Sequence, residues 1–125
     1  AVPPLDDANP APPAEPAPPP ASPTPAPEPQ PTARPSFSCG AARTRGEIAV
    51  CRDPGLAALD RQMASQYFNA LRQADSEQRA LLQRTRTDFL RFRDRCPSDA
   101  CIAQTYQGRI REIRDIMAGR WSPPR

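Results

Sequence analysis

Residues 99–118, DACIAQTYQGRIREIRDIMA, carry the clearest structural signal in this chain of 125 residues. Large apolar side chains recur there at steps of 4, 4, 3 and 4, at Ile102, Tyr106, Ile110, Ile113 and Met117. This spacing places the five side chains on one face of an α-helix, which other parts of the chain must cover. Ser98 precedes the segment as an N-cap, Gly119 follows it where a C-terminal cap belongs, and Trp121 continues the apolar face by one step.

Three further helices are predicted on the amino-terminal side of this segment. Residues 76–95 and the following Cys96 carry a second apolar face, formed by Leu82, Thr85, Phe89, Phe92 and Cys96. Residues 54–73 carry a third, formed by Leu56, Leu59, Met63, Tyr67 and Leu71. A short helix is expected over 45–52, because Thr44 and Glu47 have the spacing of a capping box. No segment alternates with a period of two, so the sequence predicts an all-α fold, a small antiparallel bundle of one short and three longer helices.

The amino-terminal part of the chain has a different composition. Of the 19 prolines, 15 lie in residues 1–35, a segment otherwise rich in alanine. Proline fixes φ and removes a backbone donor, so neither a helix nor a sheet can propagate there. We expect residues 1–35 to be a disordered Pro/Ala-rich spacer, residues 36–122 to be the helical domain, and residues 123–125 to be a short C-terminal tail.

The charged residues narrow the possible functions. The chain has no histidine and no lysine, which removes His-based catalytic triads, His-based metal sites and Schiff-base lysines. Residues 36–125 contain 16 Arg and 10 acidic residues, a net charge of +6. We therefore expect a non-enzyme without a cofactor, which binds a protein partner or an anionic envelope surface and not nucleic acid. The candidate binding surface consists of Arg86, Arg91, Arg109 and Trp121.

Four cysteines, Cys39, Cys51, Cys96 and Cys101, all lie in the helical part. An even number in so short a chain predicts two disulfides and an oxidising compartment, periplasmic or extracellular. A four-thiolate zinc site is the alternative, although the first spacing is too wide for a zinc knuckle. The pairing Cys39–Cys51 with Cys96–Cys101 closes the shortest loops, and Cys51–Cys96 with Cys39–Cys101 is also permitted. No apolar run approaches the ~20 residues that a membrane-spanning helix needs.

One ion pair is predicted inside the bundle. If the chain turns near residues 74–75, residue i of the preceding helix faces roughly residue 149 − i of the next one. Asp60 then lies opposite Phe89, about one helical turn from Arg93, and close to the apolar seam. We expect an Asp60–Arg93 ion pair that bridges these two helices, with two separate solvated charges as the alternative.

The order of several short motifs resembles a known family. The motifs are Phe37-x-Cys39, Glu47-x-x-x-Cys51, Asp53-Pro54-x-Leu56-x-x-Leu59-Asp60, Tyr67, Phe89-Leu90-x-x-Arg93-Asp94-x-Cys96, and Cys101-Ile102-x-x-x-Tyr106-x-x-Arg109-Ile110. Together they resemble the LprI-type lysozyme-inhibitor family of small, exported, bacterial helical domains. The resemblance covers nearly all of the helical part and none of the Pro-rich segment. It implies an extracytoplasmic, disulfide-bonded helical domain that binds a protein and inhibits lysozyme. The alternative is a non-catalytic accessory or structural domain of a cell-envelope assembly, held out on the Pro-rich stalk.

Overall fold

A computed structural model describes residues 34–124 of the chain and contains four α-helices in that range. They are α1 (Arg45–Arg52), α2 (Pro54–Gln73), α3 (Ser76–Arg95) and α4 (Asp99–Met117), preceded by one turn of 3-10 helix at Cys39–Ala41. Residues 34–124 contain no strand, so the all-α prediction is confirmed. The predicted spacer falls almost entirely on residues 1–33, which lie outside the described residues, and the proposed domain boundaries stay a prediction.

Polar side chains cap the start of each helix, at Thr44 and Ser98 as predicted and also at Asp53 and Asp75. Asp53 accepts hydrogen bonds from two backbone N–H groups at the start of α2, and Ser98 accepts one from Cys101 at the start of α4. Reciprocal capping boxes start the other two helices, Thr44 with Glu47 at α1 and Asp75 with Gln78 at α3. These side chains satisfy N–H groups that no helical carbonyl can reach, which fixes the helix starts locally.

The end of α4 departs from the predicted continuation. The helix ends at Met117, and Gly119 adopts a positive φ of 74°. The backbone N–H of Gly119 donates to the carbonyl of Ile116 and that of Arg120 donates to Asp115, which is a Schellman motif. Because this motif reverses the chain, Trp121 does not extend the apolar face of α4 by another step. It folds back and packs against the core as a half-buried residue.

The helix α4 lies between the other two long helices. It packs extensively on both α2 and α3, whereas α2 and α3 contact each other at only a few positions, although they are consecutive in sequence. The apolar face of α4 is the reason, because Ile102, Tyr106, Ile110, Ile113 and Ile116 are all buried. The short helix α1 covers one end of the bundle through contacts with α2 and α3.

Two disulfides each join segments that are close in sequence. Cys39–Cys51 ties the 3-10 turn to α1, and Cys96–Cys101 closes the corner between α3 and α4. The local pairing is therefore confirmed over the crossed one. Since all four sulfurs are engaged in these bonds, the zinc alternative does not apply to this structure.

Candidate binding groove between helices α3 and α4

Asp60 and Arg93 meet around a tyrosine and not in a direct ion pair. The carboxylate of Asp60, only 1% exposed, accepts a hydrogen bond from the Tyr106 hydroxyl at 2.8 Å and another from the backbone N–H of Ser36. The same hydroxyl accepts a hydrogen bond from Nη1 of Arg93 at 3.1 Å. The ion-pair partner of Arg93 is its neighbour Asp94, with Nε 3.0 Å from Oδ1. The predicted Asp60–Arg93 ion pair is thus corrected to a hydrogen-bonded chain through Tyr106.

The packing order explains this correction. The predicted ion pair requires α2 and α3 to face each other directly, but α4 lies between them and contributes Tyr106. Burial is the main cause that raises the pKa of the Tyr106 hydroxyl, and the Asp60 carboxylate raises it further, against the opposing effect of Arg93. The hydroxyl therefore keeps its proton and can donate to Asp60 while it accepts from Arg93.

The network continues to the start of α1. Thr44 Oγ1 donates to Asp94 Oδ1 at 3.0 Å, so the N-cap of α1 is bonded to the end of α3. Gly46 permits this approach, because a Cβ at that position would collide with Asp94 Oδ1 and lie 3.0 Å from the Arg93 carbonyl oxygen. The chain of hydrogen bonds from Ser36 to Thr44 joins all four helices and has a structural role.

Arg109, predicted to lie on the binding surface, is a core residue. It is 2% exposed, and its guanidinium lies 5.5 Å from the centre of the Tyr67 ring. It donates to Thr85 Oγ1 at 2.6 Å, to the Leu82 carbonyl at 3.0 Å and to Glu112 Oε1 at 3.0 Å. Burial lowers the pKa of Arg109, and the Glu112 carboxylate opposes that shift. A partner cannot reach this side chain, so Arg109 is removed from the predicted surface.

Above Arg109, an open groove of about 490 Å³ runs between α3 and α4. Its wall on α3 carries Asp88, Arg91, Phe92 and Arg95, and its floor on α4 includes Thr105 and Gly108. Trp121 forms one end, with its indole N–H donating to Glu112 Oε2 at 2.9 Å. The reversal at Gly119 is therefore what builds this end of the groove.

Two properties make this groove a candidate contact surface. Phe92 is 65% exposed, the largest exposed fraction among the large hydrophobic side chains of the described residues. Arg91 and Arg95, on either side of it, are exposed and have no ion-pair partner within residues 34–124. An exposed aromatic ring next to free guanidinium groups is a combination enriched at protein interfaces.

The predicted surface is thus divided among three environments. Arg91 and Trp121 line the α3–α4 groove, while Arg109 is buried beneath it. Arg86 lies on the opposite side of α3, with its guanidinium 5.9 Å from the centre of the Tyr67 ring, in a smaller groove of about 250 Å³ beside Phe68. The prediction missed Phe92 because its position on the apolar face of residues 76–95 indicated a core residue.

Comparisons with known proteins identify no family for this chain, so its functional site is argued from the geometry. No protein-family model, curated protein or solved structure matches this chain. Within residues 34–124, none of the helices combines the length and apolarity required to cross a membrane. The same residues contain no group of three or more Cys, Asp or Glu side chains placed to hold a metal ion.

Proposed function

We propose that this chain is a non-catalytic protein-binding domain that acts outside the cytosol, and that the α3–α4 groove is its contact surface. The observation that carries the proposal is the exposure of Phe92 in the groove, beside the guanidinium groups of Arg91 and Arg95, which form no ion pair among residues 34–124. When a partner covers a ring exposed to this extent, the free energy of binding becomes more favourable by about 25 cal/mol per Å² of apolar surface buried.

The two disulfides support a location outside the cytosol. Disulfides form and persist in oxidising compartments, and small domains with thin cores depend on them. The burial and hydrogen bonding of the polar side chains support a non-catalytic function. Asp60, Arg93, Tyr106 and Arg109 are buried and bonded to one another or to neighbouring backbone, so none of them faces the groove with a free reactive group.

Lysozyme inhibition is the specific activity that the resemblance implies. It is tested by a turbidity assay in which the full chain is added to lysozyme before peptidoglycan. We expect lysis to slow in proportion to the amount of chain added. Reduced and alkylated chain is the control, because it should lose the fold and with it the inhibition. Unchanged lysis at a large molar excess, over several types of lysozyme, would contradict this activity.

An accessory role in a cell-envelope assembly is the second candidate. It is favoured by the exposed guanidinium groups of Arg91 and Arg95, which have no ion-pair partner in the part of the chain that the structure describes, since an assembly partner with an acidic surface would complement them. Cross-linking of the full chain in intact cells separates the two candidates. A constant partner in the envelope is expected for the accessory role, whereas cross-links only to added lysozyme would contradict it.

A further inference from the structure

We propose that the α3–α4 groove binds an acidic segment of a partner protein, with an apolar side chain against Phe92 and carboxylates on Arg91 and Arg95. This inference rests on the proposed protein-binding function and specifies the chemistry of the partner. It follows from the charges, the apolar surface and the open floor of the groove.

The charges of the groove favour a carboxylate-bearing partner. Five charged side chains line it, but Glu112 is bonded to both Arg109 and Trp121, and Arg109 is buried. Asp88, Arg91 and Arg95 remain exposed, which gives the accessible rim a net charge of +1. Arg91 and Arg95 are four residues apart on α3, about 6 Å along the helix axis. Two carboxylates with a similar separation can each accept charge-assisted hydrogen bonds from them.

An anion alone would not cover the apolar part of the groove, so the occupant must also carry an apolar side chain. Phe92 is 65% exposed between the two arginines, so an occupant that covers it must itself be apolar at that point. A partner with carboxylates on either side of a leucine or phenylalanine satisfies both demands. An acidic amphipathic helix has this arrangement, because residues three and four apart lie on the same face.

The floor of the groove is open because of Gly108. A Cβ added there would meet only Nη2 of Arg111, at 3.8 Å, which is an ordinary van der Waals contact. A Cβ can therefore be added at this position without a clash. Gly108→Leu is the matched probe of occupancy, since it adds a side chain to the floor of the groove and does not alter Arg91, Phe92 or Arg95.

The direct test is a titration of the full, isotopically labelled chain followed by nuclear magnetic resonance. The probe is an acetylated peptide of sequence ELLEELLEELLE, and its counterpart has lysine at every glutamate position. We expect saturable shifts of the Gly108 amide and the Trp121 indole N–H with the acidic peptide alone. Trp121 is the only tryptophan in the chain, so its indole signal is unambiguous. Equal shifts with the lysine peptide, or no saturable shift at millimolar peptide, would overturn the proposal.

Variants separate the groove from general electrostatic attraction. We expect Gly108→Leu to weaken binding of the acidic peptide about tenfold or more, with thermal unfolding at or above that of the wild type. The double variant Arg91→Glu, Arg95→Glu should lose the acidic peptide and acquire affinity for the lysine peptide. The matched control Arg61→Glu, Arg72→Glu makes the same charge change on exposed positions of α2 and should bind like the wild type. If this control loses binding equally, net charge is responsible and the groove assignment fails.

Two further outcomes distinguish this inference from the proposed function. Polyphosphate that displaces the acidic peptide from Gly108 and Trp121 and binds more tightly would assign the groove to a polyanion and overturn the inference. A natural partner that Gly108→Leu still binds at full affinity would leave the protein-binding function standing and reject the groove as its site.

Discussion

At the scale of single residues, the Tyr106 hydroxyl is bonded to two buried charged side chains on two different helices. It donates to Asp60 on α2 and accepts from Arg93 on α3, so one oxygen on α4 links three helices. A buried charge needs hydrogen-bonding partners to offset its lost hydration. Removing this hydroxyl deprives a buried carboxylate and a buried guanidinium of one partner each.

We therefore predict that Tyr106→Phe lowers the free energy of unfolding by about 3 kcal/mol, since it leaves charged buried groups with unmet hydrogen bonds. Urea unfolding followed by circular dichroism measures this change. Tyr67→Phe is the matched control, because the Tyr67 hydroxyl makes no hydrogen bond within residues 34–124 and the ring is retained. We expect less than about 0.5 kcal/mol for the control. Equal losses in the two variants would contradict the role of the Tyr106 hydroxyl.

The sequence predicted these interior residues in part. Asp60 and Arg93 were predicted to lie close to the apolar seam, and both side chains are buried. The predicted direct contact between Asp60 and Arg93 was wrong, because the sequence pattern does not reveal that α4 packs between α2 and α3. Arg109 was placed on the surface because it is charged. Its position between Tyr106 and Ile113, at the middle of the apolar face of α4, was the signal for burial.

At the scale of the helices, the contact of α1 with the end of α3 depends on Gly46. We predict that Gly46→Ala lowers the free energy of unfolding by about 1–3 kcal/mol, because the added Cβ collides with Asp94 and crowds the Arg93 backbone. Gly108→Ala is the control in α4, where the space is open and alanine is the better helix former. It should raise stability by about 1 kcal/mol. Chemical denaturation of both variants tests the pair, and stabilisation by both would contradict a close α1–α3 contact.

The capping box of α1 gives a pH dependence. The carboxylate of Glu47 accepts hydrogen bonds from the backbone N–H groups of Arg43 and Thr44, which lower its pKa below the ordinary 4.5. A lowered pKa in the folded state stabilises the protein above the unfolded-state pKa, and this stabilisation is lost as the pH falls through the folded-state pKa. We predict that Glu47→Gln is less stable than the wild type by about 0.5 kcal/mol at neutral pH.

The stability difference between Glu47→Gln and the wild type should shrink as the pH is lowered below 4.5. Urea midpoints of both proteins across this range measure it. A difference that stays constant down to strongly acidic pH would show that the charge of Glu47 is not responsible.

Helix limits were the most predictable feature, because caps are local. Arg45–Arg52, Pro54–Gln73 and Ser76–Arg95 match the predicted ranges, and α4 ends one residue earlier than expected. The path beyond Gly119 was missed. A glycine with positive φ reverses the chain, and the side to which Trp121 then folds depends on Glu112 and on the groove.

At the scale of the whole domain, the two disulfides supplement a small core. Loop-closure entropy predicts a contribution of about 3 kcal/mol from Cys39–Cys51, whose residues are 12 apart, and about 2 kcal/mol from Cys96–Cys101, whose residues are 5 apart. We expect Cys39→Ala, Cys51→Ala to lower the thermal midpoint more than Cys96→Ala, Cys101→Ala. Calorimetry of the two double variants tests this order. A midpoint that neither variant changes would contradict the dependence on disulfides.

The position of the groove could not be predicted from the sequence. The apolar faces predicted three helices and a common core, but they did not predict that α4 lies between α2 and α3. That packing order places Arg91 on the α3–α4 groove and Arg86 on the other side of α3. It also leaves the apolar side chain of Phe92 exposed at the groove.

The most direct test of the binding role is capture of a partner by the immobilised full chain from an envelope extract of the cells that produce it. Wild type, Gly108→Leu and the Arg61→Glu, Arg72→Glu control are compared by quantitative mass spectrometry. We predict a protein with an acidic, apolar segment that the wild type and the control retain and that Gly108→Leu loses. Equal recovery of the same proteins by Gly108→Leu would contradict the assignment of the α3–α4 groove.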